Sequence, residues 1–303
     1  MKALVTGAGG FCGQHLVRYL QAHGVETHTI GPRQVAGVYH YVEPLDLANL
    51  VIVVEEIKPD YVFHLAGVSM APDFATYYSI NVVYAANLLQ ALALTAQTEC
   101  SILLVGTSAE YGAVQTHELP IAETIPARPY SHYGVSKLAQ TQLGLLLARA
   151  GCRLTVVRPF NIIGPGMPEH LVLQSFARQA AEVYRGNRPP ILNVGNLNSA
   201  RDFIAVSDVV RIYWQLLQTP AAQGEVINVC SGRAIVIQEL LTKFIAATGL
   251  TIDVRVDSER YKAIDVPVHY GDAAKLHRIL GSVSYEALET TLTQIWQEAI
   301  AQP

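Results

Sequence analysis

The chain has 303 residues, of which half are apolar and 15% are charged, so a disordered protein is excluded and a large buried core is possible. Its 21 basic and 25 acidic residues give a formal net charge of −4, and this balance, without a basic run, disfavours nucleic acid as a partner. The four cysteines and ten histidines are scattered without metal-ligand spacing, so we expect no metal and a reducing, cytoplasmic location. No apolar run reaches the ~20 residues of a membrane span, and we expect neither a membrane segment nor a targeting segment.

Short β-rich runs alternate with helical patterns along the first part of the chain. This alternation is typical of βαβ units and predicts an α/β fold, a doubly wound parallel sheet of the Rossmann type with helices on both faces. The predicted elements are, in order, a strand over 2–6, a helix over 11–22, a strand over 26–30, a helix over 47–57, a strand over 61–65, a helix over 74–96, a strand over 101–106, a helix over 133–150 and a strand over 154–158.

After residue 158 the alternation becomes less regular. Prolines and glycines predict a loop, followed by a helix to about residue 185 and a mostly helical end that includes short strands over 191–194 and 226–229 and helices near 207–218 and 236–248. We therefore expect a dinucleotide-binding domain over residues 1–160, with parts of 196–230 returning to it. A smaller, mostly helical substrate-binding domain would occupy 161–303, and the cleft between the two is the expected site.

A glycine-rich segment, TGAGGFCG at residues 6–13, stands where the first predicted strand turns into the first helix. Glycines there let the backbone approach a pyrophosphate and let the helix pack closely on the strand. The first-turn N–H groups and the helix dipole then face the phosphates. We predict a dinucleotide site that includes Gly7, Gly10, Phe11 and Gly13.

The end of the second predicted strand bears on which dinucleotide is bound. NAD-preferring enzymes usually place a carboxylate there for the ribose 2′-hydroxyl, whereas this chain continues as Gly31-Pro32-Arg33. Arg33 could pair with a 2′-phosphate, so we expect NADP(H), with NAD(H) open; the other interpretation of Arg33 is a solvated loop residue. Asp46, with Leu47 beside it, is a candidate for the adenine edge or else a helix N-cap.

Tyr133 and Lys137 are four residues apart and share one face of a predicted helix. A nearby ammonium favours the phenolate, so we expect the tyrosine pKa to fall from its usual ~10 toward neutrality, which would make Tyr133 a proton donor or acceptor. Thr107 follows the fourth predicted strand, at the edge where parallel sheets present active groups. A hydroxyl at that edge could bind a carbonyl or alkoxide oxygen beside Tyr133.

With these motifs together, the chain resembles the extended short-chain dehydrogenase/reductase family, the nucleotide-sugar epimerases, dehydratases and reductases. The resemblance covers nearly the whole chain and rests on residues 6–13, LAG at 65–67, TSAEYG at 107–112, YGVSK at 133–137 and RPFN at 158–161. It implies a catalytic triad of Thr107, Tyr133 and Lys137, with the lysine also holding the nicotinamide ribose.

The same resemblance implies supporting roles for the segment after the third predicted strand. Leu65, Ala66 and Gly67 would line the cofactor. Asn81, on the following helix, matches an asparagine that supports the site; the alternative is a simple helix-start residue.

The residues after Thr107 help to distinguish the dehydratases of this family from its reductases and epimerases. Dehydratases of the family carry an acid one or two places after the threonine, where this chain has Ser108 and Ala109. Glu110 is one place further and would face the other way on an extended segment, so dehydration is disfavoured. The strings at 64–69, 158–166, 194–203 and 228–232 look most like GDP-4-keto-6-deoxy-mannose reductases, which make GDP-rhamnose. A nucleotide-sugar 4-epimerase with tightly bound NAD and a non-catalytic dinucleotide sensor are the alternatives.

A nucleotide-sugar substrate follows from this resemblance. Arg201 would bind its pyrophosphate through a planar guanidinium, or would instead pair with Asp202 or Asp208 at the surface.

The remaining substrate contacts are also implied by the family. Asn161 would bind the same phosphates, and Ser69 and Ser108 would touch the sugar. Lys262 stands near the place where close relatives often have an arginine, and a lysine is a point charge rather than a fork. Family enzymes commonly dimerise through helices beside the Tyr-Lys helix, so a homodimer is expected.

Overall fold

The computed structural model describes residues 1–31, 34, 37–97, 99–257, 259 and 266–301, so that Arg33 and Lys262 lie outside the described residues. Strands and helices alternate through its first part. They are β1 (Lys2–Thr6), α1 (Phe11–Ala22), β2 (Glu26–Gly31), β3 (Val38–Tyr41), α2 (Leu47–Ile57), β4 (Tyr61–His64), α3 (Phe74–Tyr78), α4 (Tyr84–Leu94), β5 (Ser101–Val105), α5 (His132–Arg149) and β6 (Leu154–Pro159).

Shorter strands accompany the helices of the second part. These elements are β7 (Asn161–Ile163), α6 (Val172–Tyr184), β8 (Ile191–Val194), β9 (Ala200–Arg201), β10 (Phe203–Ala205), α7 (Val206–Leu217), β11 (Val226–Val229), β12 (Ile235–Val236), α8 (Ile237–Thr248), β13 (Asp253–Val256), β14 (Val268–His269), α9 (Ala274–Leu280) and α10 (Leu288–Ala301).

Seven parallel strands form the central sheet in the order β11-β6-β5-β4-β1-β2-β3. Consecutive residues of β1 are buried, as expected of a sheet that carries helices on both faces. One apolar layer joins α1 and α7 to the sheet, and the other joins α2 and α4. The predicted Rossmann-type α/β fold is therefore confirmed. The strand order reverses direction between β1 and β4, and the carboxyl ends of these strands form a crevice.

The predicted elements and the observed ones differ in two informative places. β3 was missed because it is a short edge strand whose side chains are only partly covered, so its sequence carries little alternation. The predicted helix over 74–96 is interrupted by a π-helical turn, Ser79–Val83, which contains Asn81. Such turns frequently occur beside functional sites.

The second part of the chain is mostly helical, as expected, and has its own apolar core. Phe176 of α6, Phe244 of α8 and Trp296 of α10 meet in this core. β11 is hydrogen-bonded to β6 and so belongs to the central sheet. The division into two domains at residue 160 stays a prediction.

Neither a membrane-spanning helix nor a metal-binding cluster occurs among the described residues. None of their helices is long and apolar enough to cross a membrane. No group of three or more histidine, cysteine, aspartate or glutamate side chains within this part of the chain has a geometry that could hold a metal ion.

Gly144 lets α5 lie directly against the sheet. A Cβ there would lie 2.7 Å from a methyl group of Leu104 and 3.1 Å from one of Leu154. We expect Gly144→Val to lower the free energy of unfolding by about 1–3 kcal/mol, because it overfills this contact. Urea unfolding measures the change, and Gln142→Val, on the exposed face of the same helix, is the control. Equal losses in the two variants would contradict the contact.

Candidate active site

The glycine loop is held against the segment that follows β4. Gly7 has a φ of +70°, and a Cβ there would lie 2.6 Å from the amide nitrogen of Ala66. The Thr6 hydroxyl oxygen accepts the Ala66 N–H at 3.2 Å. The first strand, the loop and the 65–67 segment therefore form one rigid edge.

The N-terminus of α1 opens at this edge with uncommitted backbone donors. Gly10 is its N-cap, offers no side chain to the first turn, and no acidic residue stands in that turn. A Cβ at Gly13 would clash with the Gly7 carbonyl oxygen, so only glycine lets the helix start this close to the loop. Exposed N–H groups on a positive dipole end suit an anion, and the cradle fits the diphosphate of a dinucleotide. Phe11 packs beside this turn, edge to face with His15.

Asn81 ties the 65–67 segment to the Tyr-Lys helix. Its amide oxygen accepts the Val68 N–H at 2.8 Å, and its amide nitrogen donates to the Val68 carbonyl and to the Ser136 hydroxyl at 2.9 Å. It is fully buried. The supporting role implied by the resemblance matches these contacts. The helix-start alternative does not, because α3 precedes Asn81 and runs directly into the π-helical turn that contains it.

Thr107 caps a short 3-10 turn, Ser108–Glu110, directly after β5. Its hydroxyl oxygen accepts the Ala109 N–H at 3.2 Å, and its backbone N–H donates to Glu110 at 2.9 Å. The Thr107 hydroxyl lies close enough to the Tyr133 phenol to lower the pKa of the phenol. Because its oxygen already accepts from Ala109, its proton can be donated to an oxygen beside it.

The expected fall of the Tyr133 pKa is wrong for this structure. Burial raises the pKa of the phenol, and the Thr107 hydroxyl offsets this only in part. Glu110 and Cys12 act in the same direction as burial. Lys137 does not lower it, since its ammonium points to Gln140. The phenol therefore stays protonated at neutral pH.

Lys137 is almost completely buried, and burial lowers its pKa to about 8, partly opposed by Glu110. Its ammonium donates to the Gln140 side-chain oxygen at 2.6 Å, while the Gln140 amide donates to the Val105 carbonyl. A Cβ at Gly67 would lie 3.6 Å from the Lys137 nitrogen. The lysine thus lies between α5, the end of β5 and the cofactor loop.

Two residues of this site were missed by the motifs. Gln140 follows Lys137 at the i+3 position of a helix, a spacing that could have indicated contact. His64 is completely buried, and its Nδ1 lies 2.9 Å from the Thr6 hydroxyl. Burial, reinforced by Lys137, lowers the pKa of His64 to about 3, so the imidazole is neutral.

Glu110 turns into the protein, away from the open side of the site. Its carboxylate accepts from Arg158 Nε at 2.8 Å and from the Thr141 hydroxyl at 3.1 Å, and it is fully buried. The segment is a tight 3-10 turn, so the alternation of side chains expected for an extended segment is wrong, and Glu110 is instead turned inward by its partners. The position two places after Thr107 is Ala109, which has no proton to exchange.

Two cavities flank the site on the substrate side. One, of about 410 Å³, includes Ser69 and Tyr133 in its lining. The other, of about 320 Å³, is lined by Asn161 and Arg201 together. The structure thus brings the predicted sugar contact to the tyrosine and the two predicted phosphate contacts to one cavity.

The alternative partners of Arg201 have other contacts. The carboxylate of Asp202 accepts from the backbone N–H groups of Ser231 and Gly232. The carboxylate of Asp208 accepts from Arg211 at 2.7 Å. Both aspartates therefore have hydrogen-bond partners other than Arg201, and a pair between Arg201 and either of them stays a prediction.

The remaining predicted residues have plain positions. Asp46 is the N-cap of α2, where it accepts the Asn49 N–H at 3.0 Å, and Leu47 begins that helix. Its contact with adenine stays a prediction. Ser108 is half-buried in the turn after Thr107, and its contact with the sugar also stays a prediction.

The fold and this arrangement define a class of enzyme. The model of the NAD dependent epimerase/dehydratase family matches residues 3–230, and the chain therefore belongs to that family. The resemblance to the extended short-chain dehydrogenases/reductases, which are NAD(P)-dependent oxidoreductases, is confirmed.

Within this family, the chain is similar to enzymes named for GDP-linked 6-deoxy sugars. The chain is 36% identical over 285 residues to the GDP-6-deoxy-D-mannose reductase of Pseudomonas aeruginosa, covering 92% of this chain and 91% of that one. It is 28% identical over 287 residues to the GDP-6-deoxy-D-talose 4-dehydrogenase of Aggregatibacter actinomycetemcomitans, covering 93% and 92%. The structure of RMD from Pseudomonas aeruginosa complexed with NADPH matches with a TM-score of 0.87 at 31% identity, covering 100% of this chain and 99% of that one.

We expect Gly7→Ala to weaken NADPH binding at least tenfold, because its Cβ pushes the loop away from Ala66. Gly24→Ala is the matched control, since Gly24 has a φ of +71° and nothing lies within 4 Å of its added Cβ. Both variants bear the same backbone strain, but only Gly7→Ala meets other backbone. Fluorescence titration with NADPH measures the difference. If both variants bind NADPH like the unmodified protein, the loop does not cradle the dinucleotide.

Proposed function

We propose that this protein uses NADPH to reduce the 4-keto group of GDP-4-keto-6-deoxy-D-mannose, giving GDP-D-rhamnose. The observation that carries the proposal is the placement of the Thr107 hydroxyl beside a protonated Tyr133, together with a buried Lys137 at the cofactor loop. The reductase of Pseudomonas aeruginosa supports the choice of substrate through its identity and its coverage of both chains.

The chain's own groups supply acid catalysis and orientation. Tyr133 donates its proton to the oxygen of the carbonyl under reduction, and its raised pKa keeps that proton available at neutral pH. Thr107 donates a hydrogen bond to the same oxygen as negative charge develops. Lys137, with a pKa of about 8, is mostly an ammonium at neutral pH and would hold the nicotinamide ribose. The bound dinucleotide supplies a hydride.

The substrate would lie across the two cavities. The cavity next to Tyr133 has a partly apolar wall that includes Ala71, Pro72 and Phe74, which suits the methyl end of a 6-deoxy sugar. The Arg201 guanidinium and Asn161 would bind the diphosphate. His170 lines the same cavity and would face the nucleoside part of the substrate.

NADP(H) remains the preferred cofactor of this proposal. The Pseudomonas aeruginosa structure with a TM-score of 0.87 carries NADPH, which supports the preference. The described end of β2 contributes Gly31 and no acid to the ribose. NAD(H) is the alternative, and comparison of the two Kd values decides between them. The cytoplasmic location predicted from the cysteines also belongs to this proposal.

The 4-dehydrogenase among the relatives favours a second candidate, oxidation or reduction at C4 with the other configuration. Product analysis by NMR separates GDP-rhamnose from GDP-6-deoxytalose. A 4-epimerase would recycle its dinucleotide, whereas a reductase consumes one NADPH per product.

Tyr133→Phe should lower kcat by about 10²–10⁴-fold, because it removes the proton donor. NADPH binding should change little, since the phenol is one contact among many. Loss of NADPH absorbance during incubation with GDP-4-keto-6-deoxy-D-mannose measures kcat, and Tyr130→Phe, an exposed tyrosine, is the control. A Tyr133→Phe protein with the kcat of the unmodified one would exclude the tyrosine as the proton donor. If the unmodified protein does not oxidise NADPH with this substrate, the proposed function is wrong.

A homodimer through α4 and α5 is also part of the proposal. These helices touch each other, and Leu94 and Leu146 are 64% and 61% exposed on them. Val135, also exposed, precedes Leu146 by three helical turns and lies on the same face of α5. An exposed apolar stripe on neighbouring helices suits burial against a second copy of itself.

We expect Leu146→Glu to convert a dimer into a monomer, because the interface would bury two unpaired carboxylates. Light scattering after size-exclusion chromatography measures the mass. Val256→Glu, at an exposed apolar residue on β13, is the control and should stay dimeric. A Leu146→Glu protein with the mass of the unmodified one would place the interface elsewhere.

A further inference from the structure

Glu110 is the one fully buried carboxylate among the described residues that adjoins the Thr107 turn, and the proposed reaction gives it no role. Each hydrogen-bond partner recorded for it is a donor: the Thr107 backbone N–H, the Thr141 hydroxyl and Arg158 Nε. A protonated acid would present a further donor to this set. Burial raises the pKa of Glu110, but the three donors and the Arg158 charge counter this and favour the carboxylate.

These three contacts join the elements that build the reacting pair. Thr107 follows β5, Thr141 belongs to the buried face of α5, and Arg158 lies on β6. The Arg158 guanidinium also lies over the Tyr111 ring, 4.6 Å from its centre. A Cβ at Gly106 would clash with the Glu110 carboxylate, so a glycine before Thr107 makes room for this carboxylate.

The backbone and the Glu110 carboxylate together hold the Thr107 turn. Directly before the turn, the Gly106 N–H donates to the Val157 carbonyl of β6 at 2.7 Å. The Thr107 hydroxyl accepts the Ala109 N–H, which is a contact within the turn. The Glu110 carboxylate accepts the Thr107 N–H itself and joins it to side chains of α5 and β6. The orientation of the Thr107 side chain therefore depends on this carboxylate as well as on the β6 backbone.

We propose that Glu110 is a positioning residue: its buried carboxylate fixes the Thr107 turn to the Tyr-Lys helix so that the Thr107 hydroxyl stays directed toward the Tyr133 phenol. This proposal rests on the proposed reductase function for its kinetic consequences only. Its structural part concerns the Thr107 backbone and holds for any reaction of the Tyr133–Lys137 pair.

Stability alone is a weak reason to keep such a pair. Replacing a buried ion pair by uncharged residues is often neutral or stabilising, because desolvation offsets the attraction between the charges. Removing one partner leaves a buried charge and is costly. A role in placing Thr107 explains why a short turn beside the reacting groups carries this pair.

The charge of Glu110 also acts on its neighbours. It raises the pKa of Lys137 against burial, and it adds to the burial that raises the pKa of Tyr133. Further titratable groups that face Tyr133 or Lys137 are Cys12 from α1, His64 at the end of β4 and Tyr213 from α7. Loss of the negative charge should therefore move the alkaline limb of the kcat profile to lower pH, because both groups give up their protons sooner.

Two substitutions separate position from charge. Glu110→Asp keeps the charge but withdraws the carboxylate by about one C–C bond, ~1.5 Å, from the Thr107 N–H. The double variant Glu110→Gln/Arg158→Gln keeps a side-chain oxygen near Thr107, removes the charge, and leaves no unpaired ion behind. Glu118 offers a matched control, because its carboxylate accepts the Gln115 N–H at 2.7 Å on another 3-10 turn and pairs with Arg128.

The experiment measures hydrogen exchange of the Thr107 amide in substrate-free protein, NADPH affinity, and kcat and KM from pH 6 to 10, about two pH units on either side of the Lys137 pKa of about 8. We expect Glu110→Asp to speed exchange of the Thr107 amide and lower kcat at least tenfold, with KM and NADPH affinity within about twofold and the pH profile unmoved. The double variant should retain Thr107 protection and shift the alkaline limb to lower pH. Glu118→Asp should leave kcat unchanged.

Several results would overturn the proposal. Unchanged Thr107 exchange and unchanged kcat in Glu110→Asp would show that the carboxylate does not place the turn. Lower thermal stability with an unaltered kcat and pH profile in both variants would make the pair merely structural. If Glu110→Asp fails to fold, the double variant still tests the proposal. Its glutamine keeps an oxygen that can accept the Thr107 N–H, so a loss of Thr107 protection in this variant would contradict the positioning role. Failure of the unmodified protein to oxidise NADPH ends the proposed function, whereas the exchange measurement needs no substrate.

Discussion

The attachment of the Thr107 turn to the Tyr-Lys helix is the constraint on which the site depends, because it joins two elements that are distant in sequence. Thr107 stands in a turn after β5, and Tyr133 stands in the first turn of α5. Gln140 and Thr141, on the buried face of that helix, are bonded to the end of β5 and to Glu110. The helix and the strand end are thus fixed by polar side chains rather than by apolar contact alone. Polar networks that are fully satisfied rigidify the groups they join.

The strand order provides the other requirement, which is a place for the dinucleotide beside this pair. β1 and β4 lie side by side, so the turns after them meet at one edge of the sheet. Gly7 lets the backbone of one turn approach the backbone of the other, and Gly67 leaves room beside the Asn81 and Lys137 side chains. Asn81 ties this edge to α5. A side chain at Gly7 would push the two turns apart.

The sequence was sufficient for most of the fold and for the groups proposed to react, because the patterns that predict both are local. Apolar periodicity identified the buried strands, and the spacing of Tyr133 and Lys137 placed them on one helical face. Two features could not be predicted, because they depend on contacts between distant segments. The direction of the Lys137 ammonium depends on Gln140 and Gly67, and the pKa of Tyr133 depends on burial beneath other elements. The short edge strand β3 has little burial of its own and so left no pattern.

The raised pKa of Tyr133 bears on the direction of the chemistry. A tyrosine that serves as a base must give up its proton before it accepts one from an alcohol, and a lowered pKa helps that step. A tyrosine that serves as an acid must keep its proton until the carbonyl oxygen gains negative charge. In this structure burial and Glu110 keep the phenol protonated, while Thr107 alone among its neighbours favours the phenolate. The environment therefore keeps the phenol protonated, which is the state from which an acid in carbonyl reduction starts, and Thr107 offsets the raised pKa by stabilising the phenolate left after proton transfer.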